Sequence, residues 1–532
     1  MTDTWTWATV TQATPLRVKV DGDTSALDAT TDNLVGSLAV SDRVRVHLHS
    51  DGIIVIGRSG GAGTFVAPAP TGVLATDTAN IQATIDAATA AAPGVIVTFS
   101  KSATAYAMGA VTIGPVSGLS IVGREANITL TGLRAGFSLA SGCSDVTVEG
   151  IHAVGDGASA SLQSLIGSVS GGSTLTRVTV KDNYVDHTNI GISMSGPLSD
   201  VKILNNVITR SVGTTPGHGY GIHVGGNTGT KVNGLIRGNL ITDCGRHGIY
   251  VARGDDITVS GNIIRDHRAT EGDGVNVRAA INSARGSRRI IAHNIVENAK
   301  DGGLLVGQGS IAGEDCYDTI VSGNIFANPA NALPTITIGS STADPTIFLS
   351  RLAIKDNHFT STQNATLIVF WCGKDVSIVG NTAYLSSGTS TRFLAIQAVG
   401  ETAGTTINTD HLYVALNRVA ATGGYFVRFN GTPAVTAGYT LRCVANTVTG
   451  QVATWSMSAA ANGPIVECID TPMDGAAWTG GAGFAGSLQI GGALGVGNSV
   501  AATTPGSVVK KIEVFNQVGV SLGFVPVYST IT

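Results

Sequence analysis

Short runs of Val and Ile recur through the middle of the chain, each broken by a polar corner. They read VKILNNVI (201–208), GLIRGNLI (234–241), ITVSGNII (257–264), RIIAHNIV (289–296), TIVSGNIF (319–326), LAIKDNHF (352–359) and VSIVGNTA (376–383). In the first, apolar Val201 and Ile203 flank Lys202, the period of a strand with one face turned inward. An Asn marks each corner: Asn183, Asn206, Asn239, Asn262, Asn294, Asn324, Asn357, Asn381, Asn417 and Asn446. A fixed mark at a loosely fixed period of this size predicts a solenoid. Asn tolerates the left-handed backbone of a tight corner, and Asn side chains stacked coil on coil can form an amide ladder.

A second mark follows in each turn: Ile190-Gly-Ile-Ser-Met, Tyr220-Gly-Ile-His-Val, His247-Gly-Ile-Tyr-Val, Asp273-Gly-Val-Asn-Val and Gly302-Gly-Leu-Leu-Val. Here Gly is expected to make the corner, with the residues one and three places later pointing inward. A leucine-rich repeat would need Leu at several fixed positions and a helix or tight turn per repeat, and neither is visible. The expected fold is all-β, a right-handed parallel β-helix. A dozen coils would make a rod roughly 60 Å long.

The rest of the chain divides around this core. Residues 1–60 alternate strictly in LRVKV (16–20) and RVRVHLH (43–49) and predict a small β-barrel-like domain. Residues 61–76 read as a linker. Residues 77–94 read as a helix with Asp77 as N-cap, Ile81, Ile85 and Ala88 on one face, and Pro93-Gly94 ending it. A solenoid's first coil has an open apolar end, which this helix is placed to cover. The β-helix then spans 95–470. Residues 471–532 combine a Gly-rich segment with a hairpin that turns near Gln517–Gly519.

Composition narrows the function. The 532 residues include 70 Gly, with only 13% charged and 5% aromatic, as expected of a β-rich elongated protein. A net charge of -4 with mixed signs gives no basic stripe for nucleic acid. No apolar run is long enough to span a membrane, and MTDTWTW opens without a secretory signal, which implies synthesis in a reducing cytosol. The six Cys are widely spaced and read as small buried hydrophobes. Asp21, Asp23, Asp28 and Asp32 lack the spacing of a calcium loop, and Gly481–Gly486 matches a dinucleotide string without its strand-helix context. No metal and no cofactor is expected.

The coils resemble pectin-lyase-like parallel β-helices, and the order of cap then coils resembles bacteriophage tailspikes. The stretches VTQATPLRVKVDGD…DRVRVHLHSDGIIVIGRSGG and LGVGNSVAATTPGSVVKKIEVFNQVGVSLGFVPVYSTIT resemble those of minor tail proteins from phages of actinobacteria. The resemblance implies a virion tail component acting at the host surface. It implies a homotrimer, joined to other tail proteins through its N-terminal domain and to host polysaccharide through the β-helix.

Counting two places beyond each corner Gly gives an outward column of Ser193, His223, Tyr250, Asn276 and Leu305, extended by Arg278. Just before the corners lie His218, Tyr220, Arg246, His247, Glu271, Asp273, Lys300 and Asp301. This is the densest mix of acids, His, Arg and aromatics in a chain poor in charge. His218, Tyr220, His223, Arg246, His247, Tyr250, Asn276 and Arg278 are candidates for glycan binding. Glu271 or Asp273 opposite Asp301 could form a hydrolytic pair, which needs carboxylates ~5–5.5 Å apart for retention or ~6.5–9.5 Å for inversion. A lyase would instead use Lys300, Arg246 or His247 as base. Turn chemistry also explains the Asp-Gly pairs, Asp255-Asp256 and Asp266, and His267, His293 and His358 read as turn or surface residues. The sequence thus favours a glycan-recognising tail spike, with a polysaccharide depolymerase and a purely structural tail subunit as alternatives.

Overall fold

The computed structural model describes the strands within residues 4–59, most of 63–450, and strands at 453–457, 465–469, 508–515 and 521–528. Within 63–450 the longest intervals outside the described residues are 158–161, 213–218, 226–231, 269–278, 308–315, 329–333, 340–348, 387–391, 398–405 and 436–439.

The Val/Ile runs stack as three parallel ladders, here called faces A, B and C. Face A runs from Val95–Thr98 through Leu198–Leu204, Ile257–Ser260 and Arg289–Ala292 to Ile465–Ile469. Face B follows each Asn, as in Val207–Thr209, Leu240–Thr242 and Ile263–Arg265. Face C is a sheet of thirteen strands from Ala110–Ile113 to Ala453–Met457, which spans roughly 60 Å at the usual strand spacing. Every pairing along the faces is parallel, for example Val201↔Gly234 on A, Ile208↔Ile241 on B and Ile222↔Ile249 on C. Ile, Val and Leu from all three fill one continuous core.

The Asn ladder sits between faces A and B, and its ten members are at most 2% exposed. Each Nδ2 from Asn183 to Asn417 donates to the next Asn's Oδ1 at 2.9–3.0 Å. The other Nδ2 hydrogen goes to a face A carbonyl of the preceding coil at 2.9–3.1 Å. Each Oδ1 from Asn206 onward also accepts the backbone N–H of the Asn before it. The left-handed residue is not the Asn, as the sequence suggested, but its predecessor: Asp182, Asn205, Gly238, Gly261, His293, Gly323, Asp356, Gly380, Leu416 and Ala445, with φ of 50–70°. Backbone reversal and amide pairing thus fall on adjacent residues, because an Asn that turned the chain would be less free to aim its amide along the axis.

The first coil is closed by the helix Leu74–Ala91, which starts three residues before the predicted Asp77. Asp77, Ile81, Ile85 and Ala88 form its buried face. Asp77 is not the N-cap. Its carboxylate accepts N–H groups from Thr71, Gly72 and, across the boundary, Ala107 at 2.8–3.0 Å. Thr78 Oγ1 accepts the Gly109 N–H, and the Gln82 amide both donates to and accepts from the Thr112 backbone at 2.8 Å. The helix therefore supplies hydrogen bonds as well as apolar cover to a sheet edge that would otherwise be open. Burial pushes the Asp77 pKa up, but the hydrogen bonds from Thr71, Ala107 and Gly72 outweigh it and hold the carboxyl below its ordinary value.

At the N-terminus, Leu27–Asp28, Leu16–Val20, Thr4–Ala13, Arg43–His49 and Gly52–Ser59 form an antiparallel sheet in that order. At the C-terminus, Val508–Phe515 and Ser521–Tyr528 pair antiparallel in a separate unit. Cys143, Cys244 and Cys316 are buried thiols, and burial pushes Cys244 up to about 12.

Candidate functional site

Strand geometry brings five of the predicted residues together on face C. Ile190, Tyr220 and His247 occupy one row, and Ser193, His223, Tyr250 and Asn282 another. Because strands in neighbouring coils lie about 4.8 Å apart, rings in the same row must stack. Tyr220 and His247 lie 5.5 Å apart at an interplanar angle of 1°, and His223 and Tyr250 5.4 Å apart at 18°. A diagonal contact of 5.2 Å links Tyr250 to Tyr220, and along its own strand Tyr250 lies 5.2 Å from His247. The result is a two-by-two block of aromatic rings, and Arg246 places its guanidinium 5.3 Å from the Tyr220 ring centre.

The two rows differ in access. Tyr220 is 5% exposed and His247 2%, so these two buttress the block rather than meet a solute. His247 Nδ1 lies 2.8 Å from the Ala279 carbonyl oxygen and 3.2 Å from its backbone nitrogen, and Nε2 lies 3.3 Å from the Asn282 amide nitrogen. His223, Tyr250, Ser193 and Arg246 are half-buried and reach the surface. His223 Nδ1 lies 3.4 Å from Ser193 Oγ. Burial depresses its pKa to about 4, so the ring is neutral near pH 7, and burial raises that of Tyr250. The accessible face therefore offers neutral aromatic surface and polar ring edges, with Arg285 and Arg246 near enough to act on Tyr250.

Register corrects the outward column. The rung opposite Tyr250 is Asn282, not Asn276, and Asn282 is followed by Leu305. Ala280 takes the place of the corner Gly in that coil. The column also closes over, since Asn282, Leu305, Thr337 and Val369 are at most 4% exposed. The face C glycines are not left-handed corners either: Gly191, Gly221, Gly248 and Gly303 are absent from the positive-φ residues. They allow close approach, since a Cβ on Gly221 would lie 2.6 Å from the Gly248 carbonyl oxygen and 2.7 Å from Ile241 Cγ2. His267, expected at the surface, is 1% exposed and bonds the Arg246 carbonyl. Arg289, which the sequence did not single out, is fully buried beneath the Asn282 rung. It donates to Ser283 at 2.8 and 2.9 Å and to Thr319 at 3.2 Å.

His218, Glu271, Asp273, Asn276 and Arg278 lie outside the described residues. Asp301 is half-buried and Lys300 exposed. Asp256 and Asp266 are left-handed corner residues, and Asp256 forms a bidentate pair with Arg288 at 2.5 and 2.7 Å. Among the described residues no helix is long and apolar enough to cross a membrane.

Comparison of the sequence with curated proteins finds no match. Among solved structures, the tailspike protein of E. coli bacteriophage HK620 in complex with pentasaccharide is similar at 13% identity and a TM-score of 0.45. That match covers 79% of this chain and 77% of that one. The A-module of Azotobacter vinelandii mannuronan C-5 epimerase AlgE6 is similar at 14% identity and a TM-score of 0.42, covering 74% and 95%. The family model described as the right handed beta helix region matches residues 191–383. That segment holds the aromatic block and most of the Asn ladder, and its fold is a right-handed parallel β-helix.

Proposed function

We propose that this chain is a subunit of a bacteriophage tail spike or fibre that recognises host cell-surface glycan through the aromatic block on face C. The observation that carries the reading is the His223–Tyr250 pair, half-buried, stacked and rigidly backed by Tyr220 and His247. Sugars present C–H faces and hydroxyl edges, and this surface supplies ring faces to the first and polar ring edges to the second. The backing matters because a side chain already fixed loses little entropy on binding. Two further points support the wider role: the resemblance of the terminal stretches to minor tail proteins, and a scaffold whose rungs offer a long surface to a linear polymer. Assembly as a homotrimer, attachment to the tail through the N-terminal sheet and action at the host surface belong to the same proposal.

The test is retention of envelope polysaccharide from actinobacterial cells on the purified protein, with reducing ends and unsaturated uronate followed in parallel. Tyr250→Ala and His223→Ala are each expected to weaken retention at least tenfold, with no products released. Retention by the wild-type protein should stay level from pH 8 to 5 and fall only as His223 takes up a proton near pH 4, with circular dichroism confirming the fold at each pH. Wild-type retention in both variants would sink the reading. Reducing ends released by the wild type but not by Asp301→Asn would replace it with the depolymerase reading.

A further inference from the structure

A second exposed aromatic ring lies on face B, five coils beyond the aromatic block, or roughly 24 Å along the solenoid at the usual strand spacing. The outward row three places after each Asn begins with charge: Asp186 is paired with Arg210, and Arg265 with Glu297 at 2.6 Å. From the next rung it is neutral, continuing as Ala327, Thr360, Tyr384, Ala420 and Thr449. Tyr384 is 54% exposed. Because Thr360 and Ala420 on either side are small, its ring stands clear of the sheet.

Tyr384 lines an open cleft of about 430 Å³ with Asn328, Thr360, Thr362, Ser386 and Thr422 among others, and among the described residues no charged side chain lines it. The volume lies within the range of small-molecule sites. His358, one rung earlier, packs its ring 5.5 Å from that of Tyr384 at 54°, which restrains the tyrosine without covering it.

The lining selects the ligand class. An anion or a metal would find no opposite charge. The exposed lining is mostly apolar with a smaller polar share, so a ligand that fits it offers both kinds of surface. A neutral sugar meets both demands, with C–H groups on the Tyr384 ring and hydroxyls on the Thr, Ser and Asn side chains. We propose that the Tyr384 cleft is a neutral-saccharide site, separate from the aromatic block and independent of it.

The experiment uses the full chain and a panel of neutral oligosaccharides (mannan, galactan, arabinan and maltohexaose fragments), with oligogalacturonate as the charged control. Wild type, Tyr384→Ala, Tyr384→Trp and Tyr250→Ala are compared at low and high salt. At least one neutral glycan should bind the wild type with an affinity that salt does not change. Tyr384→Ala should weaken it tenfold or more, while Tyr384→Trp retains it. The assignment is overturned if no neutral glycan binds, or if Tyr384→Ala binds all of them as the wild type does. Loss in Tyr250→Ala alone would also overturn it, while leaving the face C reading intact. Since the ring is exposed, circular dichroism of Tyr384→Ala should match the wild type.

Discussion

At the scale of single residues, the ladder asks more of Asn than any other side chain can give. Within the ladder each amide donates two hydrogen bonds and accepts two at a site that excludes water, so a substitution strands several buried groups at once. Asn294→Ala would leave the Val259 carbonyl and two donors of Asn262 without their present partner and take one of two donors from the Asn324 Oδ1. With each such group worth about 1–3 kcal/mol, a loss of about 3 kcal/mol or more is expected, read as a fall in the denaturant midpoint. A midpoint within error of the wild type would mean the ladder is decoration. The Asn positions were legible in the sequence because one chemistry repeats there unchanged. The left-handed positions were not, because Asp, Asn, Gly, His, Leu and Ala all serve in turn. A single φ > 0 residue costs only about 1–2 kcal/mol, which each coil can absorb, so selection for Gly is weak there.

At the scale of the strand, register decides which side chains share a site, and here the sequence misled in one coil. Asp273-Gly-Val-Asn-Val repeats the Gly mark, yet the rung opposite Tyr250 is built from Ile281–Ser283. Coils of 23–36 residues, measured between Asn marks, leave room for either assignment, so spacing could not choose between them. The grouping of Tyr220, His223, Arg246, His247 and Tyr250 was legible, since both of their strands carry the mark in full. What the mark means physically was not. Gly221 is needed for clearance, so Gly221→Ala should overpack the interface between coils and cost about 1–3 kcal/mol, measured as an earlier thermal or denaturant transition. An unchanged transition would show that the neighbouring coil yields freely, and clearance would no longer explain the glycine.

At the scale of the whole solenoid, each coil contacts only its neighbours, so stability should behave as a chain of local couplings rather than a single sum. The ends are then the weak points, and the first end has an identifiable closure. Asp77, Thr78 and Gln82 bond backbone groups of Ala107, Gly109 and Thr112 that have no earlier coil to pair with, while Ile81 and Ile85 cover the core beneath. The sequence revealed the apolar half of this cap by its periodicity, but not the polar half, because side-chain bonding to a distant edge leaves no local pattern. Replacing Asp77 and Gln82 together by Ala should keep the helix yet reopen the edge. Hydrogen exchange is then expected to quicken in residues 95–139 and stay unchanged in the coils of 201–379, with association rising with concentration as the freed edge finds partners. Equal acceleration in every coil would instead mean that the solenoid opens as one cooperative unit, and the cap would be setting the stability of the aromatic block and the Tyr384 cleft as well as that of the first turn.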